Sequence, residues 1–182
     1  ASKQNMTGIC NVDTRALTQH LRDYGSQNAV ISFPADGEID IDRLRQQARN
    51  IPSMTGRDIA RTVSTQETYV WSEPSYDITQ NHPRQTPPGF AHVVVIDYGV
   101  KRNILRCLID QGFKLTVVPC GTSTEKILSL KPDGIFLSNG PGDPAATGVY
   151  AIPIIQQLLK SGLPIFGICL GHQLLALSLG AQ

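Results

Sequence analysis

The 182 residues are 41% hydrophobic and 17% charged, which is the composition of an ordinary globular protein that can build a core. A formal net charge of +1 gives no electrostatic basis for binding nucleic acid or an anionic membrane. No run approaches the roughly 20 apolar residues of a membrane-spanning helix, and the first residues do not resemble a secretory signal.

The first part of the chain, residues 1–73, is predicted to form a small α/β piece. Helices are expected over residues 13–25 and 41–51, and residues 29–33 have the composition of a strand. Residues 74–90 concentrate proline, glycine and polar side chains, which interrupt helices and central strands. This stretch is therefore predicted to be a linker.

From residue 91 onward, apolar runs alternate with helical patterns. Strands are predicted near residues 92–97, 114–118, 133–138 and 164–168. One helix is predicted to end before Gly112. Three more are predicted at residues 125–130, 150–160 and 172–179, and the last of them is expected to be buried. The expected fold class is α/β, with a parallel sheet flanked by helices and with sites at the carboxyl ends of the strands.

The four cysteines are Cys10, Cys107, Cys120 and Cys169. They form no C-x-x-C pair, which argues against a zinc site or a dithiol redox motif. Scattered cysteines are typical of free thiols in a reducing compartment, so we expect a cytoplasmic protein. Three of them are predicted to be small core residues, whereas the neighbours of Cys169 indicate chemistry.

The segment Gly167-Ile168-Cys169-Leu170-Gly171 lies where a predicted strand turns into a predicted helix. Glycines two residues either side of a nucleophile permit a strained strand-to-helix turn, as in the G-x-S-x-G hydrolases. The start of the helix favours a thiolate, and the N–H of Leu170 can face a developing oxyanion. A buried cysteine between packing glycines is the alternative.

A second glycine-rich segment, Gly140-Pro141-Gly142-Asp143-Pro144, follows another strand of the same predicted sheet. Its backbone should therefore lie at the same edge as Cys169. Glycine at 140 and 142 lets backbone N–H groups approach a substrate closely. The alternatives are an ordinary turn and a phosphate cradle, although the spacing matches neither a P-loop nor G-x-G-x-x-G.

Together, Ser138-Asn139-Gly140-Pro141-Gly142-Asp143-Pro144 and Gly167-Ile168-Cys169-Leu170-Gly171-His172-Gln173 resemble the oxyanion loop and nucleophile elbow of the class I glutamine amidotransferases. More narrowly, Asp97-Tyr98-Gly99-Val100-Lys101-Arg102-Asn103-Ile104 and Val12-Asp13-Thr14-Arg15 are similar to segments of carbamoyl phosphate synthase small subunits. The resemblance extends over nearly the whole chain.

The resemblance implies a role for five residues. Cys169 would attack the carboxamide carbon of glutamine, form a γ-glutamyl thioester and release ammonia. The N–H groups of Leu170 and Gly140 would form the oxyanion hole, and Gln173 and the backbone of Gly142 would hold the glutamine. No metal or cofactor is implied for this chain. ATP and Mg would bind the partner, the large synthetase subunit, which makes carbamoyl phosphate for arginine and pyrimidine biosynthesis.

One part of the family pattern does not occur in these residues. The family's general base is a histidine oriented by a glutamate, in a G-H-P-E-like segment downstream of the cysteine, and no such segment follows Cys169. His172 is expected to pack in a buried helix instead. We therefore expect a piece of a longer chain that is inactive alone. Residues 1–73 would end the small subunit's N-terminal α/β domain, and residues 91–182 would be the first half of its amidotransferase domain.

Two other functions fit parts of the sequence. A cysteine hydrolase or peptidase of similar fold would use the same elbow, but Gln173 and the segment at 140–144 favour glutamine. A non-catalytic interaction subunit is the other alternative, and the cysteine at position 169 argues against it.

Overall fold

The structure, a computed structural model, describes residues 8–181. The chain forms two compact units, Ala1–Ser53 and Met54–Gln182. Residues 54–73, which the sequence assigns to the first domain, lie in the larger unit. They do so because a strand at Tyr69–Trp71 joins the main sheet of that unit.

The described part of the smaller unit contains two helices, α1 (Thr14–Tyr24) and α2 (Ile41–Asn50). Each begins after an aspartate, Asp13 or Asp40, whose carboxylate accepts a backbone N–H of the first turn at 2.9 Å. The prediction of a strand at residues 29–33 is wrong. A strand needs a hydrogen-bonded neighbour, and no strand lies in the described part of this unit.

The larger unit is built on a five-stranded sheet with the order β1-β5-β4-β6-β7. The four predicted strands, β4 to β7, are confirmed, and the pairs β4–β5, β4–β6 and β6–β7 are parallel. The strand β1 adds an antiparallel edge, and β2 and β3 form a hairpin within the predicted linker. The strands are β1 (Tyr69–Trp71), β2 (Tyr76–Asp77), β3 (His82–Pro83), β4 (Ala91–Asp97), β5 (Phe113–Pro119), β6 (Gly134–Leu137) and β7 (Ile165–Gly167).

Five helices accompany these strands: α3 (Ala60–Val63), α4 (Arg102–Asp110), α5 (Thr124–Ser129), α6 (Pro144–Leu159) and α7 (Leu170–Ser178). The prediction that α6 starts near residue 150 is wrong, since it starts at Pro144. Asp143 caps it by accepting the N–H of Ala145 at 2.9 Å, and proline suits the first helical position. Gly148 inside the helix conceals its first turns in the sequence.

The sheet has an apolar cluster on each face, because successive side chains of a strand point to opposite sides. Ile96 of β4 joins the cluster that contains Leu170 and Leu174 of α7, and Val95 joins the other. In the sheet, β5 lies on one side of β4 and β6 lies on its other side, so the strand order reverses direction at β4. Open α/β sheets bind ligands at the carboxyl ends of strands where the order reverses in this way. Among residues 8–181, no helix is both long and apolar enough to cross a bilayer.

Candidate active site

Cys169 lies between the end of β7 and the first residue of α7, with φ 53° and ψ −115°. A non-glycine residue in such a conformation costs on the order of 1–3 kcal/mol and persists only where its surroundings hold it. Here the carbonyl of Cys169 accepts the N–H of Gln173 at 3.0 Å, and the preceding N–H of Ile168 donates to the carbonyl of Leu137 at 3.1 Å. The strained turn expected of a nucleophile elbow is therefore present.

The two glycines of the elbow are required by space. A Cβ added at Gly167 would lie 2.7 Å from the carbonyl carbon and oxygen of Gly171. A Cβ added at Gly171 would collide with the carbonyl of Leu137 at the end of β6. The spacing seen in the sequence thus follows from how closely α7 approaches β6 and β7.

Cys169 is exposed, so the alternative of a buried cysteine between packing glycines is wrong. The prediction for the other three cysteines holds only in part. Cys120 is buried, but Cys10 and Cys107 are exposed and belong to neither of the two apolar clusters. All four are free thiols.

His172 and Gln173 are both exposed in the first turn of α7. The prediction that His172 packs in a buried helix is wrong, because α7 is buried along one face only. Leu170 and Leu174, one helical turn apart, define that face and turn His172 away from it. Gln173 is accessible at the start of the helix, where a substrate-binding side chain would have to be.

The segment at 140–144, here named the 140–144 loop, lies at the same sheet edge as Cys169. Strands β6 and β7 are parallel, with Leu137 opposite Gly167, so the residues that follow each strand emerge together. This agrees with the placement expected from the sequence. The assignment of Gly140 and Leu170 to an oxyanion hole stays a prediction.

The first part of the 140–144 loop rests on the turn that follows β4. Gly140 approaches this turn so closely that a Cβ would collide with the carbonyl of Tyr98. Asn139, which directly precedes the loop, holds it against this turn with two side-chain hydrogen bonds. Its Oδ1 accepts the N–H of Lys101 at 2.9 Å, and its Nδ2 donates to the carbonyl of Gly99 at 3.1 Å.

The second part of the loop is held by a segment much earlier in the chain. The N–H of Asp143 donates to the carbonyl of Arg57 at 3.1 Å, and its Oδ2 accepts the N–H of Gly56 at 2.7 Å. The N–H of Gly56, and after it that of Ala145, holds the pKa of the Asp143 carboxyl below its usual value. Sequence reasoning missed this contact. Asp143 before Pro144 does signal a helix cap, but it does not reveal a partner 87 residues away.

The described residues contain no group of three or more His, Cys, Asp or Glu side chains that could hold a metal ion. The groups at this sheet edge include an exposed thiol at Cys169 and the exposed side chains of His172 and Gln173.

The sequence is similar to those of known proteins. Residues 94–182 match the family described as Glutamine amidotransferase class-I. The carbamoyl phosphate synthase small chain of Mesorhizobium japonicum is 51% identical over 180 residues, which cover 99% of this chain and 45% of that protein. That of Caulobacter vibrioides is 50% identical, with 98% of this chain and 46% of the relative covered.

The corresponding small chain of Zymomonas mobilis is 51% identical over 174 residues, or 96% of this chain and 46% of the relative. This chain thus spans less than half the length of these relatives. The match to the family begins within β4 and takes in both the 140–144 loop and the elbow at Cys169. Residues 94–182 therefore match the class I glutamine amidotransferase family, and the chain as a whole is similar to part of carbamoyl phosphate synthase small chains.

Proposed function

We propose that this chain is part of a glutamine-hydrolysing subunit of a carbamoyl phosphate synthase. The observation that carries the proposal is the elbow: an exposed cysteine with a positive φ stands between two glycines that space requires, at the carboxyl edge of a parallel sheet. Such strain, observed in a structure, supports a functional role for the strained residue. The similarity to small chains supports the substrate and the partner.

In the proposed reaction, the thiolate of Cys169 attacks the carboxamide carbon of glutamine and the C=O oxygen becomes an oxyanion. The N–H groups of Leu170 and Gly140 donate to this oxyanion. Leu170 is the first residue of α7, so its N–H has no acceptor within the helix. Loss of one such donor typically costs about 10²–10³-fold in kcat. Gln173 and the backbone of Gly142 hold the substrate.

Collapse of the tetrahedral intermediate breaks the C–N bond. The nitrogen leaves as ammonia after it takes a proton from a general acid, and the γ-glutamyl thioester remains on Cys169. Water then hydrolyses the thioester to glutamate. The acid and base would be the histidine of the family's downstream segment, so residues 1–182 alone should turn over glutamine very slowly. General acid–base help is worth about 10²–10⁴-fold.

The ammonia would pass to a large synthetase subunit, the partner in a heterodimer. That subunit would bind ATP and Mg and make carbamoyl phosphate for arginine and pyrimidine biosynthesis. A cytoplasmic location belongs to the same proposal, and four free thiols are compatible with it.

The alternatives are weaker on specific grounds. A peptidase of similar fold has no evident use for an exposed Gln173 beside the nucleophile. A non-catalytic subunit would keep the strained backbone at Cys169 at a cost in stability and without a benefit.

Substitution of the nucleophile in the full-length protein, assembled with its synthetase partner, tests the proposal. Cys169→Ser should abolish glutamine-dependent synthesis and leave ammonia-dependent synthesis intact, because the ATP chemistry belongs to the partner. Cys107→Ser, at another exposed cysteine, is the matched control and should leave both rates unchanged. Glutamine-dependent synthesis that survives in Cys169→Ser would refute the proposal.

A further inference from the structure

The 140–144 loop depends on a segment outside the region that matches the amidotransferase family. Residues 56–59, here named the support segment, precede that region by more than 30 residues. We infer that Asp143 is a positioning residue: through its contacts with the support segment it fixes the N–H of Gly140 relative to Cys169 and so sets the rate of glutamine hydrolysis. The inference rests on the proposed function.

Close packing leaves the loop little freedom between its two supports. Gly142 has φ 109°, and a Cβ there would lie 2.9 Å from both the carbonyl oxygen of Arg57 and the backbone nitrogen of Ile59. On its other side, the backbone of Gly140 is packed against that of Tyr98. The chain between Gly140 and Asp143 is short, so a shift at Asp143 must reach the N–H of Gly140.

The support segment is itself anchored to α6. The Oδ1 atom of Asp58 accepts hydrogen bonds from the hydroxyls of Thr147 at 3.1 Å and Tyr150 at 3.4 Å. Arg61 places Nε 3.7 Å from the carboxylate of Asp58 and its guanidinium 4.5 Å from the ring centre of Tyr150. Thr147 is fully buried. The support segment is therefore fixed to α6, the helix that begins at the end of the 140–144 loop.

The carboxylate of Asp143 performs two tasks that one substitution can separate. Its Oδ1 accepts the N–H of Ala145 and caps α6, whereas its Oδ2 accepts the N–H of Gly56. Asparagine is as good a helix N-cap as aspartate, but it has one acceptor oxygen. Asp143→Asn thus keeps the cap and loses the bond to Gly56. A role in capping alone predicts wild-type behaviour for this variant.

The test uses the full-length protein with its synthetase partner and measures kcat and KM for glutamine. Asp143→Asn should lower glutamine-dependent kcat by about 10-fold or more, since a small misplacement of a group that acts on the transition state has effects of this size. KM for glutamine should rise as well, because Gly142, which is proposed to hold the substrate, lies between Asp143 and Gly140. The ammonia-dependent rate should stay near wild type. Thr147→Val, which removes one anchor of the support segment, should lower kcat in the same direction by a smaller factor.

Ser123→Ala is the matched control. It removes the cap of α5, where Ser123 accepts the N–H of Lys126 at 3.4 Å, and it leaves the 140–144 loop untouched. Its kcat should equal that of the wild type. The inference is overturned if Asp143→Asn keeps wild-type kcat, or if it loses ammonia-dependent synthesis to the same extent. The proposed function fails separately, if Cys169→Ser retains glutamine-dependent synthesis.

Discussion

The backbone N–H of Gly171 donates to the carbonyl of Ser138 at 3.0 Å. This bond joins the first turn of α7 to the end of β6, from which the 140–144 loop departs. The same N–H lies 3.0 Å from the carbonyl of Ile168, so the turn around Cys169 closes on the same point. The turn that contains Cys169 and the 140–144 loop are therefore both attached to the end of β6.

This connection predicts that Gly171→Ala is strongly destabilising. A Cβ would collide with the carbonyl of Leu137, and relief would require α7 to move away from β6. Forcing atoms into a packed site typically costs about 1–3 kcal/mol or more. The free energy of unfolding, measured in urea, should fall by at least this amount.

Gly121→Ala provides the control for that measurement. No heavy atom lies within 4 Å of a Cβ added at Gly121, so this variant should unfold within about 1 kcal/mol of the wild type. Similar stabilities for the Gly171 and Gly121 variants would show that α7 can leave β6 without a penalty, which contradicts the described packing.

The sequence predicts the frame of this site because the relevant signals are local. Continuous apolar runs mark β4 to β7, and the glycines at 167 and 171 mark the elbow. Such local signals do not determine which face of a helix is buried. The apolar composition of α7 therefore predicts a buried position for His172, although α7 buries only the face of Leu170 and Leu174.

Features that depend on distant partners could not be predicted. Residues 29–33 have the composition of a strand, but the described part of their unit has no strand to pair with them. Conversely, Tyr69–Trp71 gives a weak strand signal and becomes β1 because β5 offers a free edge. The bond between Gly56 and Asp143 belongs to the same class, since the two residues are 87 positions apart.

The start of α7 predicts that Cys169 reacts faster than the other exposed cysteines with a small alkylating reagent. Cys169 directly precedes the N-terminus of α7, whereas Cys107 lies inside α4 and Cys10 lies outside the helices. Cys10 and Cys107 are the proper comparison, because Cys120 is buried and should react slowly for lack of access. Time-resolved mass spectrometry of labelled peptides measures the rates, and equal rates at the three exposed cysteines would contradict the prediction.

We predict that the carboxyl group of Asp143 makes the free energy of unfolding depend on pH under acidic conditions. Its pKa is depressed in the folded protein by the N–H groups of Gly56 and Ala145. Its contribution is therefore present above the unfolded pKa of about 3.9 and is lost as the pH falls through the lower, folded pKa. The asparagine side chain introduced by Asp143→Asn cannot titrate. The stability difference between wild type and this variant should therefore be constant above about pH 5 and shrink below about pH 4.

Urea unfolding at several pH values measures this difference. The corresponding difference for Ser129→Ala should not change with pH over the same range, because the Ser129 hydroxyl donates to the backbone carbonyl of Lys126 and neither serine nor alanine titrates there. A difference for Asp143→Asn that stays the same down to about pH 3, or grows on acidification, would contradict the assigned contacts.

Cys169 is the residue proposed to carry the γ-glutamyl group, and trapping the thioester tests this assignment most directly. The full-length protein is mixed with glutamine, quenched in acid while turnover continues, and digested for peptide mass spectrometry. We expect one γ-glutamyl group on the peptide that contains Cys169, and none in Cys169→Ser or in samples without glutamine. An adduct on a peptide with Cys10, Cys107 or Cys120 instead, or glutamine turnover that persists in Cys169→Ser, would contradict the assignment.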